Sequence, residues 1–259
     1  MRFKLLLRVN KKAFGNKLPI NYQYEQSAAI YKILSNADEK YASWLHDNGF
    51  EIGTGKRFKL FTFARFKVEK RQILPEEERL LILSDTVEWQ IGFLPEKSTD
   101  SFIKGIFQNQ IFEIGDKKSA VQFIVQSVEI LPEPDYKGKV TFVAMSPVCL
   151  KFHRIDGKTD YLSPTDVRAP FLMFNGLFDR YRSFYGEDCP YSLSECKLKV
   201  LGVPKSVVVK LKADTNEETR VRGFLCKMEV QAPVELMRLM YEGGVGSLTS
   251  QGFGCLRVD

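Results

Sequence analysis

Histidine is scarce in this chain: only His46 and His153 occur in 259 residues. A multi-histidine metal site is therefore excluded. The carboxylates supply no H-E-x-x-H, D-x-D or EF-hand spacing in its place, which disfavours a divalent-metal nuclease or hydrolase. Cysteine is sparse too. Cys149, Cys189, Cys196, Cys226 and Cys255 are odd in number, widely spaced and without a C-x-x-C pair. Neither a disulfide framework nor a zinc ribbon is expected, and the five read as buried small hydrophobes or idle thiols. No apolar run reaches the roughly 18 residues that cross a bilayer, and Met1-Arg2-Phe3-Lys4 leads into alternation instead of a secretory apolar core. The expectation is a cytoplasmic chain with no membrane partner and no cofactor. A G-x-S-x-G elbow is missing. So is a Walker A loop: around Gly53-Thr54-Gly55-Lys56, Phe50 holds the first glycine position and Arg57 the hydroxyl position. A dinucleotide fingerprint fails because Thr249 stands where the third glycine should follow Gly244 and Gly246.

What is present is a glycine-rich end loop, Gly243 to Gly254, with five glycines in twelve positions. Without Cβ atoms such a loop turns sharply and lets an anion or a nucleic-acid backbone approach its N–H groups; the plainer reading is a tight helix-to-strand connection. The net charge of +6 and pI near 8.9 permit an anionic partner without requiring one.

Periodicity organises the rest. Arg2 to Val9 alternates as a half-buried strand, with Phe3, Leu5 and Leu7 on one face and Arg2, Lys4 and Arg8 on or near the other. Tyr24 to Leu34 has helical spacing, Asn36 stops it, and Ala37 to Asp47 forms a second helix closed by Asn48-Gly49. Strands follow at Lys59 to Val68, Arg79 to Asp85 and Val87 to Leu94. A helix from Ser98 to Gln108, capped by Ser98 or Thr99, and a strand from Ala120 to Leu131 complete a β-α-β-β-α-β order. Residues 132–138 read as a linker. Beyond it come a strand at Lys139 to Ser146, a hairpin around Asp156-Gly157, a helix from Val167 to Tyr185, strands at Cys196 to Val200, Ser206 to Leu211 and Arg222 to Val230, a helix from Pro233 to Tyr241 and a last strand at Gly254 to Val258. The element order repeats. The expectation is an α+β chain of two tandem ferredoxin-like βαββαβ domains, residues 1–131 and 139–259.

Two segments carry chemistry. His46 lies in the last turn of its helix, where the dipole favours a cation and where imidazole suits proton transfer; a favourable helix end is the plain alternative. His153 reads as a solvent-facing strand residue. Lys56 to Arg71 then sets seven basic residues against one acidic, interleaved with Phe58, Phe61, Phe63 and Phe66. Lys56, Arg57, Arg65 and Lys67 suit phosphate contacts, while most of the rings fill a core.

With these residues in place the chain resembles the CRISPR-associated repeat-RNA endoribonucleases, the sixth Cas family, whose superfamily is built from two ferredoxin-like folds. The resemblance spans the full length. It rests on the end loop before its aromatic-Gly pair and on Leu18-Pro19-Ile20-Asn21-Tyr22-Gln23-Tyr24, Ile30-Tyr31, Tyr41-Ala42-Ser43-Trp44-Leu45-His46 and Lys59-Leu60-Phe61-Thr62-Phe63. It implies metal-independent cleavage of precursor CRISPR RNA within each repeat, leaving 5′-hydroxyl and 2′,3′-cyclic phosphate ends. It assigns catalysis to Tyr31, His46 and Lys59, with Lys56 the alternative lysine, and RNA contact or shaping to the loop of Gly244, Gly246, Gly252 and Gly254. The implied partner is CRISPR repeat RNA, with effector-complex subunits and a second copy of the chain left open. A non-cutting RNA-binding subunit of an interference complex, and a two-domain protein that binds no nucleic acid, are the alternatives.

Overall fold

Alternation in the first strand does what alternation dictates: Phe3, Leu5 and Leu7 are wholly buried beneath two helices. The computed structural model describes residues 1–53 and 55–259; Thr54 lies outside the described residues. Arg2–Val9 is the centre of a five-stranded antiparallel sheet, ordered Phe61–Phe63, Thr86–Phe93, Arg2–Val9, Ala120–Leu131, Ile111–Gly115. Helices Gln23–Ala37 and Glu96–Gln108 bury their apolar stripes on its inner face. This is the ferredoxin-like strand order with one added edge strand.

The second half repeats it. Lys197–Leu211, Thr219–Gln231, Lys139–Ala144 and Leu256–Val258 form an antiparallel sheet in that order, served by helices Ala169–Tyr185 and Val234–Gly243. Its core gathers Phe142, Met173, Phe174, Leu177, Met228 and Met240. Tyr136, within the expected linker, is buried in this cluster, its ring 6.3 Å from that of Tyr241.

Several local expectations are corrected. The long strand expected at Lys59 to Val68 is broken: Lys56–Phe58 pairs with Phe50–Ile52, Leu60 takes a left-handed φ of 54°, Phe61–Phe63 joins the main sheet as a short strand, and Lys67 meets it again through a single bridge to Glu88. Asp38, not Asn36, separates the first two helices; its carboxylate accepts from the Tyr41 N–H at 3.0 Å and so caps the second. Ser98 and Thr99 do not cap their helix. It begins at Glu96 after Pro95, both hydroxyl residues are buried, and Ser98 Oγ meets the Tyr41 hydroxyl at 2.5 Å. Cys196 to Val200 and Ser206 to Leu211 fuse into one strand whose register shifts between Leu201 and Lys205. Arg2, expected on a polar face, is 1% exposed. Its guanidinium reaches into the second half, donating to Tyr241 O, to Leu256 O at 3.1 Å and to Cys255 Sγ at 2.7 Å, and it lies 4.5 Å from the Tyr241 ring. That contact joins the halves on the side of the sheets where the glycine-rich loop also crosses.

Candidate active site

Helical periodicity places Tyr24, Ser27, Ala28 and Tyr31 on one face of the helix Gln23–Ala37, and all four line a cavity of about 300 Å³. His46 enters the same cavity from the helix Glu39–Asp47, whose end is fixed by the Asn48 and Gly49 N–H groups on Trp44 O at 2.8 and 3.0 Å. The chain then reverses through the short hairpin Phe50–Ile52 and Lys56–Phe58, which delivers Lys59 beside the helix end. Lys59 Nζ donates to the main-chain oxygen of His46 at 2.5 Å. The Tyr31 and His46 rings meet edge to face, centroids 5.0 Å apart. Tyr31, His46 and Lys59 therefore converge on one cavity, closed on its far side by Ser250 and Gln251 of the end loop.

Burial sets the protonation of two of these groups. It raises the Tyr31 phenol above its ordinary value, with the Tyr41 and Asp47 charges adding to the effect. The phenol is thus a hydrogen-bond donor at neutral pH, not a base. Burial also lowers the Lys59 ammonium; Asp47 opposes the change and Arg57 adds to it. His46 is open to solvent, its Nδ1 2.8 Å from Asp47 Oδ1.

A cleft of about 570 Å³ opens beside this cavity and shares Lys59, Ser250 and Gln251 with it. Lys56, Arg57, Lys151, His153, Arg180 and Gly246 also line it, so its walls come from both halves, and among its charged side chains five cations face one carboxylate, Asp179. Lys56 is paired with Asp179 at 2.7 Å, and Arg57 with Glu51 at 3.5 Å. Arg180 is 3% exposed. One guanidinium nitrogen holds Gly246 O, Nη1 has no partner, and burial brings its pKa down to about 10.

The other expected RNA contacts lie elsewhere. Arg65 lines a separate cavity of about 310 Å³ with Tyr22 and Arg71, and Lys67 is paired with Glu88 at 3.0 Å. Phe61, Phe63 and Phe66 fill the core. Gly244, Gly252 and Gly254 are buried and line neither the cleft nor the Tyr31 cavity. Their N–H groups are engaged within the chain, on Met240 O, Thr249 O and Pro147 O. Gly252 has φ +87° and so little space that a Cβ would lie 2.6 Å from Gln23 Cβ. Gly244 packs on Thr62 and Gly254 on Val245, so three of the four glycines shape the loop, while Gly252 seats it on the helix Gln23–Ala37, where Ser27 Oγ donates to Ser250 O at 2.7 Å. A larger cavity, about 660 Å³, lies between Glu25 and the Lys212 to Glu217 turn and contains none of the three converging residues. Asp47, Arg180, Lys151, Ser250 and Gln251 were not singled out by sequence. For Asp47 a signal existed in its adjacency to His46; for Arg180 none did.

Among the described residues no three of His, Cys, Asp and Glu gather as a metal site, and no helix is long and apolar enough to cross a membrane. Two family models match the chain: "CRISPR-associated protein Cas6, N-terminal" over residues 17–129 and "CRISPR associated protein Cas6, C-terminal" over residues 131–258. The chain is 26% identical over 259 residues to the CRISPR-associated endoribonuclease Cas6 of Pyrococcus furiosus, covering 100% of this chain and 90% of the relative. It is 28% identical over 240 residues to the CRISPR-associated endoribonuclease Cas6 1 of Methanocaldococcus jannaschii, covering 92% and 85%. A solved structure of a CRISPR associated protein Cas6 superposes with a TM-score of 0.74 at 26% identity, covering 100% of this chain and 99% of the other. That of a Cas6-related gene product from Pyrococcus furiosus superposes at 0.82 and 23% identity, covering 100% and 98%, a likeness of fold.

Proposed function

The chain belongs to the Cas6 family of CRISPR-associated proteins, and from that premise we propose that it is an endoribonuclease that cuts precursor CRISPR RNA within its repeats without a metal. In the reaction the ribose 2′-oxygen forms a bond to its own neighbouring phosphorus and the bond to the 5′-oxygen breaks. One proton leaves the 2′-hydroxyl and another reaches the 5′-oxygen, giving 2′,3′-cyclic phosphate and 5′-hydroxyl ends. The observation that carries the proposal is the single cavity holding Tyr31, His46 and Lys59 at the mouth of a basic cleft.

Each group has a task its chemistry allows. His46 transfers the proton to the 5′-oxygen leaving group. Tyr31, kept protonated by burial, donates a hydrogen bond to a reacting oxygen. Lys59, tethered at the His46 carbonyl, places a positive charge beside the phosphoryl oxygens as their charge grows. Lys56, Arg57 and Gly246 border the path of the strand along the cleft. On the same proposal, residues 1–131 and 139–259 are the two domains and 132–138 their linker. CRISPR repeat RNA is the partner, with effector-complex subunits and a second copy of the chain as further candidates, and the setting is cytoplasmic.

The test is incubation with repeat RNA in EDTA and mapping of the product ends. His46→Ala should abolish cleavage while leaving RNA affinity nearly unchanged. Salt-sensitive binding without product from the wild-type chain would transfer the assignment to a non-cutting RNA-binding subunit.

A further inference from the structure

Asp47 is in the wrong place for a helix-stabilising carboxylate. It occupies the last turn of Glu39–Asp47, where the helix dipole repels negative charge. Among the described residues its carboxylate takes one hydrogen bond, from the His46 ring at 2.8 Å. A carboxylate only accepts, so the shared proton belongs to the imidazole Nδ1. We propose that Asp47 is the positioning residue of the active site: it holds His46 as the Nδ1–H tautomer, so that Nε2 is the nitrogen that faces the scissile phosphate. This inference rests on the endoribonuclease function proposed above.

The surrounding contacts leave that ring few alternatives. Lys59 fixes the His46 carbonyl and Tyr31 lies against the ring face to edge, so main chain and ring plane are both constrained. Asp47 supplies the remaining constraint, the choice of nitrogen. During cleavage the proton given to the 5′-oxygen leaves Nε2, while Nδ1 keeps its own proton throughout. In the free chain the bond is weak, because the His46 and Asp47 side chains are 66% and 70% exposed. RNA seated over the cavity displaces that water and strengthens it.

Two readouts test this. Long-range nitrogen-proton NMR of the uniformly labelled chain at about pH 8.5, where a free imidazole is neutral, reads the tautomer without RNA. The only other histidine, His153, has its own Nδ1 contact to Thr159 Oγ1 at 3.0 Å and is removed by His153→Gln for assignment. His46 should show Nδ1–H in the wild type and shift towards Nε2–H, the form favoured by an unconstrained histidine side chain, in Asp47→Ala. Single-turnover cleavage should fall about 10- to 100-fold in Asp47→Ala with RNA affinity maintained, and Asp47→Glu should recover part of the rate. If Asp47 were merely surface charge, its removal near a polyanion would tighten RNA binding and leave the rate equal or higher, which would overturn the assignment. A wild-type His46 found as Nε2–H would overturn it as well. A wild-type chain that never cleaves overturns the endoribonuclease function itself, and is told apart because the tautomer is read without substrate.

Discussion

Replacing Gly252 with alanine probes the joint between the end loop and the first helix. At φ +87° an alanine carries left-handed strain of about 1–2 kcal/mol. Its Cβ would also sit 2.6 Å from Gln23 Cβ, 2.8 Å from Gln23 Cγ and 3.1 Å from the Phe63 ring. Gln23 is 1% exposed and Phe63 fully buried, so neither can swing into solvent, and overpacking adds about 1–3 kcal/mol. The total loss of stability is about 2–5 kcal/mol, a fall in Tm of about 5–15 °C for a chain of this length. Thermal melting and urea titration measure it. Relief of the clash moves Ser250 and Gln251 away from Tyr31, so repeat-RNA cleavage should also drop at temperatures where the variant remains folded. Gly176→Ala is the control: it lies inside the helix Ala169–Tyr185, a Cβ there meets nothing within 4 Å, and stability should rise by about 0.5–1 kcal/mol. A Gly252→Ala protein melting within about 1 °C of wild type would refute the claim that the loop is tightly seated.

Glu25 gives a pH-dependent outcome. Burial raises its carboxyl to about 7 from 4.5, its own backbone hydrogen bond and Arg79 opposing and Asp116 reinforcing the shift. Between those values the folded chain holds a proton that the unfolded chain has released, so stability falls as pH rises through the window. Glu25→Gln should therefore gain about 1–2 kcal/mol over wild type above pH 7 and nothing near pH 4.5, read from urea midpoints at each pH. Arg180→Met removes a buried charge with an unpartnered nitrogen and one bond to Gly246 O. Its Tm should hold or rise while repeat-RNA affinity falls about 10-fold; a large loss of Tm with affinity intact would make Arg180 a loop brace only. Tyr31→Phe keeps the ring contacts to His46 and Phe61. It should cost less than about 1 kcal/mol in stability yet slow cleavage by about 10- to 100-fold.

The repeated strand-helix order was legible because the apolar periods of Arg2–Val9, Gln23–Ala37 and Ala120–Leu131 are clean. The break at Leu60 was not, since a left-handed leucine carries no local mark: tertiary contacts hold it, with its side chain in the second core while Phe61 enters the first. Arg2 misled for a related reason. Alternation reports which face a side chain takes, but the second half of the chain covers the face that alternation alone assigns to water. At the site, His46 stood out by its place in a helix's last turn, but its grouping with Tyr31 and Lys59 was visible only through resemblance, because residues fifteen and thirteen positions apart acquire their proximity from the helix break at Asp38 and the reversal at Gly49. The glycines were conspicuous but their use was not. Composition shows that a Cβ is missing and says nothing of whether a ligand or Gln23 takes the space.

The seating of Ser250 on Ser27 spans 223 positions of the chain. During translation the first helix leaves the ribosome long before the loop that completes its cavity, and Tyr31, His46 and Lys59 stand on an unwalled surface in the interval. A nascent polypeptide stalled before Ser250 thus lacks the wall that faces these side chains, and on the proposed function its cleavage of repeat RNA should wait for the loop.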